Sequence, residues 1–139
     1  MSKIKYLLAA IFGIYVALIL WVTILGREVL LGTPIVYKPF HVFLSFWRNI
    51  QRGGLTGNFL GNIILFIPNG FLLPVVTGWR KWYKIITIGF GFSLLIEIGQ
   101  YVTHRGCFDP DDIILNSIGT VVGLCLWEII HKIITVTDK

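Results

Sequence analysis

Four apolar runs, each close to the length of a membrane crossing, leave this chain few ways to fold: Ile4–Leu25, Asn58–Val76, Ile85–Val102 and Ile113–Ile134. A helix rises ~1.5 Å per residue, so roughly 20 apolar residues cross a hydrocarbon core of ~30 Å. Within lipid, each backbone polar group must be satisfied inside the segment, which favours helices. A hydrophobic content of 55%, a charged content of 14% and a mean hydropathy of +0.80 argue against an ordinary soluble domain. The expectation is an all-α polytopic membrane bundle of four transmembrane helices, forming one domain over residues 1–139. The first run follows Lys3 and Lys5 but exceeds the ~7–15 residues of a signal-peptide core, so it reads as an uncleaved span.

The net charge of +5 calls for no nucleic acid. Lys3, Lys5, Arg80, Lys81, Lys84 and Lys132 flank span ends that share one side if the chain crosses four times. The short loop Val76–Ile85 holds three of them and no acid, the mark of a cytoplasmic loop. Both termini are therefore expected in the cytoplasm, with loops 26–57 and 103–112 outside. The outer loop 26–57 carries four basic residues of its own, which weakens this signal without reversing it. Cys107 in an outer loop and Cys125 inside the fourth span lie too far apart for a bridge. No spacing suggests zinc, and neither a metal nor a cofactor is expected.

Along the chain, Ala9, Gly13 and Ala17 form a small-residue stripe suited to helix packing. In PFHVFLSFWRNIQR, Phe40, Phe43, Leu44 and Trp47 recur at helical spacing, with His41, Ser45, Arg48 and Arg52 on the opposite face. This predicts an amphipathic outer-face helix over 39–52, opened by Pro39, which either lies in the headgroup layer or covers the bundle as a lid. Pro68 breaks the hydrogen-bond ladder of the second span, predicting a kink with Asn69 as the local repair. Gly57 with Gly61, and Gly119 with Gly123, are GxxxG pairs that permit close helix contact within the chain or in a homo-oligomer.

The polar residues inside the spans are more informative. Asn58 and Asn62 open an inward span, Glu97 and Gln100 close an outward one, and Asp112 and Asn116 begin the next. A carboxylate inside a span costs ~2.5–3.5 kcal/mol on insertion scales and usually faces protein or water. Three spans thus deliver polar groups to one depth at the outer end, joined by the loop bearing Arg105, which favours a shared polar cavity. Arg105 is expected to neutralise Glu97 or Asp112. Asp109-Pro110-Asp111-Asp112 is also a strong helix start, with Asp109 as N-cap and Pro110 at the first helical position. Asp109 and Asp111 need do nothing more. The candidate ligand-binding set is Asn58, Asn62, Glu97, Gln100, Arg105, Asp112 and Asn116, and Glu97 and Asp112 are the candidate acid–base groups.

GNIILFIPNGFLLP, SLLIEIGQ and RGCFDPDDIILNSIG, in this order, resemble the successive motifs of VanZ-like membrane proteins. The resemblance runs from about Pro39 to Gly123 and includes Asn62, Phe66, Pro68, Gly70, Pro74, Glu97, Gln100, Arg105, Asp109, Asp112, Asn116 and Gly119. Pro110 departs from the aliphatic residue more usual there, and it firms the helix start. The resemblance implies an association with resistance to teicoplanin and related lipoglycopeptides in Gram-positive bacteria, without remodelling of the peptidoglycan precursor. The expected partners are membrane lipids and either a lipid-linked peptidoglycan precursor or the lipoglycopeptide. The alternatives are a membrane enzyme acting on a lipid-linked substrate through Glu97 or Asp112, and a polar network that only fixes the bundle.

Overall fold

The computed structural model describes residues 3–32, 34–51 and 57–137, without the side chains of residues 49–51, 57 and 58. It is all-helical, with four helices long and apolar enough to cross a membrane. Helix α1 (Lys3–Leu20) continues into a π-helical turn (Trp21–Leu25). The short α2 (His41–Gln51), then α3 (Gly57–Thr77), α4 (Trp82–Val102) and α5 (Pro110–Thr137) follow. The third and fourth spans run a few residues beyond their apolar runs because Trp82, Tyr83 and the polar stretch at the start of α5 continue the helix.

The central seam is between α3 and α5, where backbone meets backbone. A Cβ at Gly119 would collide with the carbonyl of Ile63, one at Gly123 with that of Ile67, and one at Gly70 with that of Thr120. Small residues at such positions let helices approach closely in lipid, where dispersion contacts replace the hydrophobic effect. Phe66, Ile19 and Ile96 fill the space joining α1, α3 and α4, while Leu73, Ile85 and Leu124 join α3, α4 and α5. Leu7, Ile14, Leu18, Ile64 and Leu95 are exposed, as expected of a surface solvated by lipid chains.

Not every small residue packs. Gly13 and Ala17 are exposed, and a Cβ at Gly13 or Gly61 would meet nothing. The α1 stripe therefore faces away from the bundle, because α1 leans on α3 through Tyr15 and Ile19 instead. Both Pro68 and Pro74 lie inside a continuous α3. Asn69 does not repair its own helix: it is buried on the inner face, and its Nδ2 donates to Thr120 Oγ1 at 3.3 Å. Tyr15 Oη donates to the Leu65 carbonyl at 2.9 Å, beside the Ile64 carbonyl that Pro68 leaves without its helical donor.

The two loops at one end are strapped together. Leu30 N donates to His104 O at 2.6 Å, Phe108 N to Ile35 O at 3.0 Å and Tyr37 N to Phe108 O at 2.9 Å, with a parallel bridge between Val36 and Phe108. Their meeting places residues 26–32, 34–40 and 103–109 at one end of the bundle. Phe43 and Phe46 of α2 pack on Phe59 of α3, leaving Phe40, Leu44 and Trp47 exposed. So the apolar stripe of α2 is split: one part holds the helix to α3 and the other is free.

Gly123→Ala should force α3 from α5 and lower stability by about 1–3 kcal/mol, the usual range for overpacking. Gly13→Ala should leave it unchanged. Thermal unfolding of the detergent-solubilised protein checks both, and equal melting of the two variants would contradict the seam.

Candidate functional site

The site begins with what the start of α5 does to nearby backbone. Asp109 Oδ1 accepts the Asp111 amide at 2.9 Å, the N-cap bond that the DPDD spacing implies. Asp109 N donates to Glu97 Oε2 at 2.8 Å, so α4 holds the residue that caps α5. Glu97 is only 1% exposed and stands behind this cap.

Asp111 is 0% exposed and acts across the chain. Its carboxylate accepts the amides of Phe40 and Val42, the latter at 2.8 Å, so it caps α2 from 69 and 71 positions away. This replaces the predicted opening by Pro39: the helix starts at His41, after Phe40 turns at a φ of 64°. His41 lies 3.4 Å from Asp109 and 3.3 Å from Asp111, and stacks on Tyr37 with ring centroids 4.5 Å apart. Burial raises the Asp109 carboxyl above its usual range, while the Asp111 amide and the charge of His41 pull it back. His41, Asp109 and Asp111 bring one donor atom each within 4.8 Å, a composition suited to a cation. However, His41 faces the two carboxylates through opposite ring nitrogens, and both Asp111 oxygens receive amides. That geometry describes a clasp between α2 and α5.

Beside the clasp lies a cavity of about 470 Å³. Asn62, Gln100, Arg105, Asp109 and Asp112 line it, together with Arg27, Glu28 and Tyr37. Asn62 Nδ2 donates to Asp112 Oδ1 across the α3–α5 seam. Gln100 Nε2 donates to Thr23 O at 3.1 Å, a carbonyl of the π-helical turn. Among the described residues Arg105 pairs with no carboxylate: its Nη1 donates to Leu25 O at 2.9 Å and Arg27 O at 2.6 Å. It thereby serves the Leu25 carbonyl, which the end of the first span leaves without a helical donor, and the Arg27 carbonyl just beyond it.

Four of the seven predicted ligand-binding residues therefore line one cavity: Asn62, Gln100, Arg105 and Asp112. Glu97 does not. Asn116 sits a turn deeper than Asp112, where its Nδ2 donates to Ser93 Oγ at 2.8 Å and its buried Oδ1 has no partner among the described residues. The side chain of Asn58 lies outside the described residues. Arg27 and Glu28 were missed, although two charges directly after an apolar run are a visible signal of the span's end. The long-range bonds of Asp111 carried no such signal.

Asp111→Ala should remove the acceptor of two α2 amides at a cost of about 1–2 kcal/mol. Amide hydrogen exchange should then rise at the start of α2 and stay unchanged in the middle of α5. Unaltered protection of α2 would show that the cap is not what holds it.

The comparisons with known proteins bear on the whole of this arrangement. Protein VanZ of Enterococcus faecium is 28% identical over 136 residues, an alignment covering 92% of this chain and 78% of that protein. No solved structure matches. The sequence model of the VanZ/LLP1 family matches residues 12–131, from within α1 to the last turns of α5 and so across every residue of the cavity. This multi-pass helical chain belongs to the VanZ/LLP1 family.

Proposed function

We propose that this protein lowers the susceptibility of a bacterial cell to teicoplanin and related lipoglycopeptides by binding an amphiphile in the polar cavity, at the outer leaflet of the membrane. The amphiphile is a lipid-linked peptidoglycan precursor or the lipoglycopeptide itself. The observation that carries the binding reading is a polar cavity set beside an exposed apolar rim. Leu30 lies at its wall, and Leu31, Val36, Phe40, Leu44 and Trp47 stand exposed around the same end. Such a boundary matches a molecule with a polar head and an apolar body. The antibiotic is supported by the VanZ-like resemblance and by family membership.

The outward orientation is supported by charge. The strapped loops share one end, so Lys3, Lys5, Arg80, Lys81, Lys84 and Lys132 belong to the other, which the positive-inside rule assigns to the cytoplasm together with both termini. An enzymatic reading through Glu97 or Asp112 would have to rest on Asp112, because of the two only Asp112 lines the cavity. Binding asks less of this geometry.

The test is teicoplanin susceptibility of a sensitive Gram-positive host carrying the wild type, Asp112→Asn or Glu97→Gln at matched membrane levels. Wild type should raise the inhibitory concentration, and Asp112→Asn should remove most of that protection. Equal protection by Asp112→Asn would overturn the role of the cavity. Absence of protection by the wild type would overturn the resistance role.

A further inference from the structure

The cavity wall holds charges of both signs that form no close arginine–carboxylate pair among the described residues. Arg27 and Arg105 line it, and so do Glu28, Asp109 and Asp112. Among the described residues no arginine forms an ion pair with a carboxylate, and the ion pairs there are those of His41 with Asp109 and Asp111. Opposite charges brought this close attract each other, so their separation requires tethers. The tethers are neutral groups. Backbone carbonyls hold Arg105, Asn62 holds Asp112, and the Asp111 amide holds one oxygen of Asp109.

Gly106 contributes to the same arrangement. A Cβ there would stand 3.2 Å from Arg27 Nη1 and 3.1 Å from Gln100 Oε1. The missing side chain leaves room where the guanidinium and the amide come together. Arg27 makes no hydrogen bond through its side chain among the described residues, so its donors are available to a ligand.

A ligand of one sign is poorly matched to this wall. A pure anion would gain the two guanidiniums but meet three carboxylates, and a pure cation would face the reverse. A molecule bearing both signs satisfies each set without breaking any internal ion pair. The volume of about 470 Å³ suits a head group rather than a whole lipid.

Building on the amphiphile-binding reading above, we propose that the cavity recognises a zwitterionic head group, a phosphate or carboxylate with a primary amine in one molecule. Arg27 and Arg105 take the anion and Asp112 takes the ammonium. Guanidinium is suited to the first task because its planar donors match an oxyanion with two parallel bonds.

The experiment titrates the full-length protein in a non-ionic detergent with dihexanoyl-phosphatidylethanolamine, following heat of binding and the shift of the melting temperature. Dihexanoyl-phosphatidylglycerol supplies the anion without the amine, and an alkylamine supplies the reverse. Both should bind at least about ten-fold more weakly than the zwitterion. Arg27→Gln and Asp112→Asn should each weaken zwitterion binding about ten-fold, with unliganded melting showing that the variants are folded. Competition by soluble ethanolamine phosphate would show that the head alone suffices. Lipid binding without such competition would show that the head is recognised while lipid-borne.

Phosphatidylglycerol binding as tightly as phosphatidylethanolamine would overturn the inference, as would full affinity in a folded Arg27→Gln variant. Because the panel is read on the wild type, a variant that fails to fold leaves it decisive. Teicoplanin protection without zwitterion selectivity would defeat this inference alone. Selectivity without protection would defeat the proposed function alone.

Discussion

Where Gly119 and Gly123 carry no side chain, the carbonyls of Ile63 and Ile67 lie directly against α5, and the register set by that contact positions the rest of the bundle. It places Asn62 against Asp112 at one end and Asn69 against Thr120 further along. In lipid, the gain comes from dispersion and from hydrogen bonds that water does not contest, so close backbone approach is an effective way to fix two helices. Once α3 and α5 are locked, the other polar partners fall at definite heights. Ser93 meets Asn116, and Glu97 meets the amide of Asp109.

The loop end adds a second layer of organisation. There the carboxylates of Asp109 and Asp111 work mainly on main-chain donors, one amide of α5 and two near the start of α2. Helix starts present several amides without internal partners, and a buried carboxylate that accepts them is better compensated than an isolated charge. The cavity is therefore bounded by backbone that is itself held by side chains. Arg105 does the same for carbonyls at the end of the first span.

How much of this was legible in the sequence follows from which groups are marked there. The spans were legible because apolar content is a property of each segment alone. Asp109 was legible as a cap because its partner lies two residues on. Asn62, Gln100, Arg105 and Asp112 could be assigned to one depth by counting turns from span ends, and they do line one cavity. The partners chosen by Arg105, Asp111 and Asn69 were not legible. Two of these side chains bond main-chain groups, which every residue carries, and the third depends on the rotational setting of α3 against α5. The exposed face of Gly13 and Ala17 has a similar origin: a small-residue stripe permits close packing, but Tyr15 and Ile19 decide which side of α1 turns inward.

The strap joining Leu30, Ile35 and Tyr37 to His104 and Phe108 is built from main-chain hydrogen bonds. Such bonds are indifferent to side-chain identity except where proline removes a donor. Mutation can therefore change the chemistry exposed at the mouth without loosening the frame that supports it. Side chains of this rim can be exchanged at little cost to folding, because the frame that carries them is held through the main chain.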